Sequence, residues 1–433
     1  MPDLEFKVNG WVSSDLLDPA ERETLASFTI TAGERLAPVT EVNDLLAHTV
    51  REYIHVPAYL VARWLVVHWW RLRWEPRPEV PTWGWLQSHS LSAISSDYAW
   101  PSVTFASDGH FIHLLGRAEP ISDVAAVRYL RSVDVRIPVH AFEKAIDAFL
   151  DVVEMRLASR VPAERELAEL RAELREERCD AALSRQCRLQ ALAGFDPGAA
   201  DAAWLHAAQE LATEAGPVAG DEVIAASPRL SGQLDGARRA IDAMRTSRCF
   251  VQLPPRFDMS LPQGAEFPWQ RGQRLAAALR RKLGWTSGPI GTRDLESVLD
   301  IKLPVPATYR ERVLIGAYTD HAVGSTSVLV ASPRLANQRF FFSRLIAAAL
   351  VMGPADRVLP VSDVGTSLQK LERAFAQELL CPWAELDAFT TEKGTDEEGV
   401  LEAAEYFGVS EYVILTALVN NGKVSRSRLP LVA

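Results

Sequence analysis

Cysteine, long apolar runs and surplus positive charge are all scarce in this sequence, and each shortage removes a class of function. Only four cysteines occur, Cys179, Cys187, Cys249 and Cys381. They stand far apart without metal-ligand spacing, so they read as reduced thiols of a cytoplasmic protein, not as a disulfide framework. The longest apolar run, "VPAYLVARWLVVHWW", is 15 residues and contains Arg63 and His68. It is too short to span a bilayer and reads as a core helix, so no membrane association is expected. The opening "MPDLEFKVNG" has acids and no apolar segment, so no secretory signal is expected. A formal net charge of −10 argues against broad nucleic-acid or anionic-membrane binding. The phosphate-cradling patterns G-x-x-x-x-G-K-[ST] and G-x-G-x-x-G are missing, as is a nucleophile elbow.

What is present is an ordinary mixture, 48% apolar and 24% charged, spread over 433 residues. That length exceeds one ordinary core and predicts two or three domains. The fold class reads as α+β in three parts: an α/β-mixed domain over 1–155, a helical region over 156–250, and a C-terminal α+β domain over 265–433. In the first part, "LEFKVNGWV" and "ASFTITAG" alternate as strands do. A helix is expected to start near Asn43 or Asp44, and a second to cover Tyr59 to Trp74. "SVTFASDGHFIHLLG" predicts a hairpin turning at Asp108-Gly109, and "VHAFEKAIDAFLDVVEMRL" an amphipathic helix. Seven of the twelve tryptophans fall between Trp64 and Trp100; they mark either a binding surface or, more simply, an aromatic core.

The middle region, "AERELAELRAELREERCDAALSRQCRLQ" onward, reads as charged helix. The proline-rich 252–268 is the expected boundary. Beyond it come the helix "WQRGQRLAAALRRKLGW", the short helix "TRDLESVLDI", and the strands "RVLIGAY" and "TSVLVAS". A nearly all-apolar helix, "NQRFFFSRLIAAALVMG", follows, then a polar loop, the helix "LQKLERAFAQELLCPWAELDAF" and a closing helical hairpin. A helix apolar on every side belongs inside a domain. Arg344 at its centre therefore needs a partner or a route to water.

Four segments in this order resemble the ImmA/IrrE family of zinc metallopeptidases, over roughly 265–425. "PWQRGQRLAAALRRKLGWTSGPIGTRDLESVLDI" resembles the family's opening helices. "SVLVASPRLANQRFFFSRLIAAAL" resembles its strand, connector and "RFTLAHELGHLLL" helix. "FAQELLCP" is similar to "FAAELLMP", and "AEYFGVSEYVI" resembles the closing hairpin. The resemblance implies a zincin-like domain whose H-E-x-x-H helix binds Zn²⁺ through two histidines and keeps a glutamate as general base.

In that register the first histidine falls on Arg344, the glutamate on Leu345 and the second histidine on Ala348. None can ligate zinc or move a proton. The third ligand falls on Gln369 or Leu371, with Glu372 one position off and Glu378 further along. The implied domain is thus a pseudo-peptidase without a cofactor. Its expected role is that of a protein-binding component in a bacterial stress-response, toxin–antitoxin or phage-defence setting; the setting comes from the resemblance alone. The alternatives are an active zinc endopeptidase with other ligands, cleaving a helix-turn-helix repressor or antitoxin, and a DNA-binding regulator using Lys423, Arg426 and Arg428.

Other candidates are weaker. His110 and His113 of "HFIH" point to opposite faces of a strand and cannot share an ion. His68 reads as a hydrogen-bonded core histidine and His321 as a loop residue. Two further expectations concern the degenerate site. Arg344 either pairs with Glu372 or Glu378, or extends to water. The run Thr326 to Ser332, with Ser327, Val328, Leu329 and Val330 at its centre, is a candidate edge strand on which a partner segment docks, unless the chain's own "RERVLIGAY" or the proline-rich connector covers it.

Overall fold

The structure, a computed structural model, describes residues 3–15, 17–120, 126–254, 266–311 and 313–429. It is a mixed α+β protein whose strands, among the described residues, pair antiparallel in four small sheets. No described helix is long and apolar enough to cross a membrane. The chain divides into two compact units, 1–209 and 210–433, rather than the three parts expected. The helical middle is not a unit of its own: Glu166–Cys179 and Ala181–Leu192 belong to the first unit, Ala219–Ala226 and Leu234–Thr246 to the second. The division falls within the helix Ala202–Ala215. The expected boundary at 252–268 lies for the most part outside the described residues.

The first unit forms where alternating sequence meets aromatic bulk. In the strand Asp3–Trp11, Leu4 and Phe6 are buried while Glu5 and Lys7 face out, as period-two patterning requires. It pairs with Leu25–Gly33. The strands Val103–Ser107 and Phe111–Gly116 form the expected hairpin. Its turn holds because Gly109 takes a φ of +93° and Asp108 Oδ1 accepts the amides of His110 and Phe111. Phe6, Phe28, Phe105, Phe142 and Phe149 pack ring to ring beneath these sheets and against the helix Val139–Arg160. Of the seven clustered tryptophans, Trp64, Trp69, Trp70, Trp85 and Trp100 are buried, so the cluster is chiefly core; Trp83 is 75% exposed.

Two local expectations here are corrected. No helix starts at Asn43 or Asp44; Val42–Asp44 is a strand, and Asp44 Oδ1 accepts the amides of Leu46 and Ala47 to make a turn. The side chain that suits a helix cap serves a turn equally well. The helix expected over Tyr59 to Trp74 is two, Ala58–Val67 and Trp69–Trp74, broken at His68.

The second unit is built on one sheet. Its strands run in the order Phe250–Val251, Ser325–Leu329, Leu314–Asp320, Val358–Ser362. The last was expected as a polar loop. Pro360 at its centre hides it in the sequence, but the strand lies at the sheet's edge, where proline is tolerated. The central helix Leu335–Val351 packs against this edge strand and against the helix Ser367–Leu380. Ser367–Leu380 in turn lies tightly on Pro268–Lys282. Gly272 permits that approach: a Cβ there would sit 2.4 Å from the Leu371 carbonyl oxygen.

Candidate functional site

The central helix is buried on nearly every side, as its sequence requires, and two arginines inside it are satisfied differently. Arg339, 4% exposed, ties outlying segments together. Its Nη2 donates to the carbonyls of Ile290 (2.6 Å) and Phe407 (3.3 Å), and its Nη1 to Thr292 Oγ1 (2.9 Å). Arg344, 5% exposed, faces the second helix. Its Nη2 donates to the Ser362 carbonyl and to Gln369 Oε1, both at 2.5 Å. The same amine lies 3.4 Å from Glu372 Oε2, and Nη1 lies 3.7 Å from Asp363 Oδ1.

Glu372 is inaccessible, and neither carboxyl oxygen accepts a hydrogen bond. Burial raises its pKa to about 8, outweighing the attraction of Arg344; nearby Glu222 pushes it further up. Glu222 itself is raised to about 7 by burial, although Thr366 Oγ1 donates to it at 2.7 Å. Arg373 completes the cluster, reaching the carbonyls of Ser362 and Val364. Burial and the neighbouring Arg344 guanidinium hold it below the ordinary arginine range. The site is thus a buried pair of acids and a pair of guanidinium groups arranged around Gln369. Gln369 is the hub: it also receives the Ser362 amide at 2.8 Å and donates to the Pro360 carbonyl at 3.0 Å.

Of the residues singled out from sequence, Arg344, Glu372 and Gln369 come together. Leu345 and Ala348 are buried apolar side chains and Leu371 is 4% exposed. Glu378 is not a partner of Arg344; it accepts the Trp383 amide at 3.1 Å. Arg344 does not extend to water. Glu222, Arg373 and Ser362 were missed, because Glu222 arrives from a helix far upstream and Ser362 from the unrecognised strand.

The candidate docking edge is corrected. Thr326 and Ser327 pair with Val251 and Phe250. The Val328 amide donates to the Cys249 carbonyl (2.8 Å), and the Val328 carbonyl accepts Ser247 Oγ (2.6 Å). The Val330 carbonyl accepts the Thr308 amide (3.0 Å). Val328, Leu329 and Val330 are all buried. The backbone groups an added strand would need are already bonded to the segment 247–251 and to Thr308. The opposite edge strand is covered: all five residues of Val358–Ser362 are buried, Gln369 bonds the Ser362 amide and the Pro360 carbonyl, and Arg344 bonds the Ser362 carbonyl.

The other sequence candidates do not assemble. His113 Nε2 contacts Asp134 Oδ1 at 2.6 Å, and His321 sits in an exposed turn. His68 is not a hydrogen-bonded core histidine: its Nδ1 makes no hydrogen bond and stands 3.6 Å from Asp196. Lys423 pairs with Asp387 at 2.6 Å and Arg428 bonds the Thr395 carbonyl, which leaves Arg426 as the basic side chain there without such a contact. Among the described residues, no group of three or more His, Cys, Asp or Glu side chains is placed to hold a metal ion. The chain matches no family model, no curated protein and no solved structure.

Proposed function

We propose that the second unit is a zincin-like domain of ImmA/IrrE type that has exchanged its metal for a fixed cation and acts by binding another protein. The observation that carries this reading is the position of Arg344. In the register of the resemblance, Arg344 stands where the first zinc histidine would be, and Glu372 stands beside the third ligand's place. Their side chains meet between the two helices that would share the ion. A guanidinium there offers no lone pair and repels a second cation. The residues present therefore do not fit zinc. The regulatory setting, a bacterial stress-response, toxin–antitoxin or phage-defence system, rests on the resemblance.

The experiment restores the motif in the full chain. Wild type should carry no stoichiometric zinc by elemental analysis. The triple variant Arg344→His, Leu345→Glu, Ala348→His should bind about one Zn²⁺, using Glu372 as the third protein ligand, and melt at a higher temperature with zinc than without. A zinc-loaded wild type would favour the alternative of an active peptidase. A folded triple variant indifferent to zinc would remove the family geometry. With the candidate edge strand covered by the chain's own segment 247–251, the surface for a partner moves to the closing hairpin, where Leu401, Tyr406 and Tyr412 are exposed. Leu401→Ala with Tyr412→Ala should reduce capture of the native partner from the host without lowering the melting temperature; equal capture would remove this surface.

A further inference from the structure

The first unit contains a cavity of about 620 Å³ that owes nothing to the reading of the second. It lies where the helix Trp69–Trp74, the helix Trp83–His89 and the loop around Gly194 converge. Arg71 is its charged centre and is only 9% exposed. Nε of Arg71 donates to Glu75 Oε2 (2.7 Å), and Nη1 donates to Ser88 Oγ (2.7 Å) and stands 3.5 Å from Asp196 Oδ2. The third nitrogen, Nη2, has no acceptor among the described residues. On the acid side, Glu75 is 9% exposed and its Oε1 has no donor among them. That oxygen stays uncovered because residue 194 is glycine: a Cβ there would lie 3.1 Å from it, and the backbone φ is +82°. Asp196 Oδ1 is itself buried, without a hydrogen bond, and stands 3.6 Å from His68 Nδ1.

The wall therefore offers a free guanidinium amine and a free Glu75 oxygen, held in place by the Arg71–Glu75 bond, with the Asp196 carboxylate adding negative charge beside them. A simple anion would meet Glu75 and Asp196. A simple cation would meet Arg71. A dipolar ligand satisfies both halves, with its carboxylate on Arg71 and its ammonium on Glu75, each as a charge-assisted hydrogen bond, and Asp196 favours the ammonium through its charge. Gly84, Ala93, Ala193 and Gly194 on the same wall leave room for a side chain. We propose that this cavity binds a small zwitterion of the free α-amino acid class.

The charge balance gives the proposal an independent signature. With both acids ionised and His68 neutral, Arg71 leaves one negative charge uncompensated. Burial raises Glu75 to about 7, while His68 and Arg71 outweigh burial and keep Asp196 below its ordinary value. Near neutrality Glu75 is thus partly protonated, and an incoming ammonium group displaces that proton.

The test uses the full chain and each standard amino acid at about 5 mM, screened by thermal melting and followed by calorimetry on the strongest. At least one should raise the melting temperature and bind saturably, releasing protons at pH 7 as read from the dependence of the heat on buffer. Its N-acetyl form, lacking the ammonium, and its amide, lacking the carboxylate, should each bind at least about tenfold more weakly. Asp196→Asn, at a half-exposed position, should weaken binding similarly. No binding by any amino acid, or equal binding by the N-acetyl and amide forms, overturns the proposal whether or not the variant folds.

Discussion

Arg344 shows how a buried charge can be accommodated without a strong ion pair. Its guanidinium is held chiefly by two neutral oxygens, the Ser362 carbonyl and Gln369 Oε1. The nearest acid, Glu372, takes up a proton readily because burial disfavours its charge. Stranding an ionised acid typically costs about 3–5 kcal/mol. Here Arg344→Ala leaves an acid that can protonate, so the expected loss at pH 7 is smaller, about 2–3 kcal/mol, near that of a hydrogen bond to a charged group. Arg344→Lys should recover little, since one ammonium cannot reproduce the guanidinium's planar fork. Urea denaturation of the three proteins measures both. The need for a partner at Arg344 could be read from its place in an apolar helix, and Glu372 from helical spacing on the next one. Glu222 could not: nothing local marks a helix some 150 residues upstream as part of the same cluster.

The tightest helix contact depends on one glycine. A methyl at position 272 would overlap the Leu371 carbonyl and crowd the Phe375 amide, both of them backbone that cannot swing aside. Overpacking costs about 1–3 kcal/mol, and alanine's better helix propensity returns up to about 1. Gly272→Ala should therefore destabilise by roughly 1–2 kcal/mol, read as a lower urea midpoint with an unchanged slope. The sequence could not show this, because a glycine inside a helical pattern looks only like a weak position. Elsewhere the pattern was readable where one rule dominated. Asp108-Gly109 between two alternating runs specified a hairpin. Asp44 did not specify its element, because a carboxylate caps a helix and an Asx turn by the same hydrogen bonds. The strand Val358–Ser362 was masked by a proline whose missing amide matters little at an edge. The central helix was recognisable from its apolar run, whereas the closure of the strand before it depends on segments distant in sequence.

Taken as a whole, the chain carries raised acids in both units, Glu75 in the first and Glu222, Glu372 and Glu378 in the second, and they shape how its stability responds to pH. The folded state holds protons on Glu372 and Glu222 that an unfolded chain releases near 4.5. Their contribution is complete below that value and declines as pH rises, through about 7 for Glu222 and about 8 for Glu372. Free energies of unfolding should therefore fall across this window. Glu372→Gln should flatten the fall on its alkaline side and Glu222→Gln nearer neutrality. A wild-type curve that rises over the same range would contradict the burial of these acids. The division into two units also bears on what composition could reveal. Length predicted several domains, but the split lies inside a helix, where no proline or glycine marks it.

The closed sheet of the second unit has a consequence for behaviour in crowded solution. A sheet invites aggregation through backbone groups that still lack partners. In this one, Cys249 and Val251 occupy one margin and Gln369 the other. The longer strand Ser325–Leu329 is thereby hidden from a second copy, and the margin left outside it is only the two residues Phe250–Val251, so concentrating the folded protein should not seed fibres from Ser325–Leu329. Misassembly through Ser325–Leu329 would first require the segment 247–251 to peel away, which makes that short strip the guard of this strand.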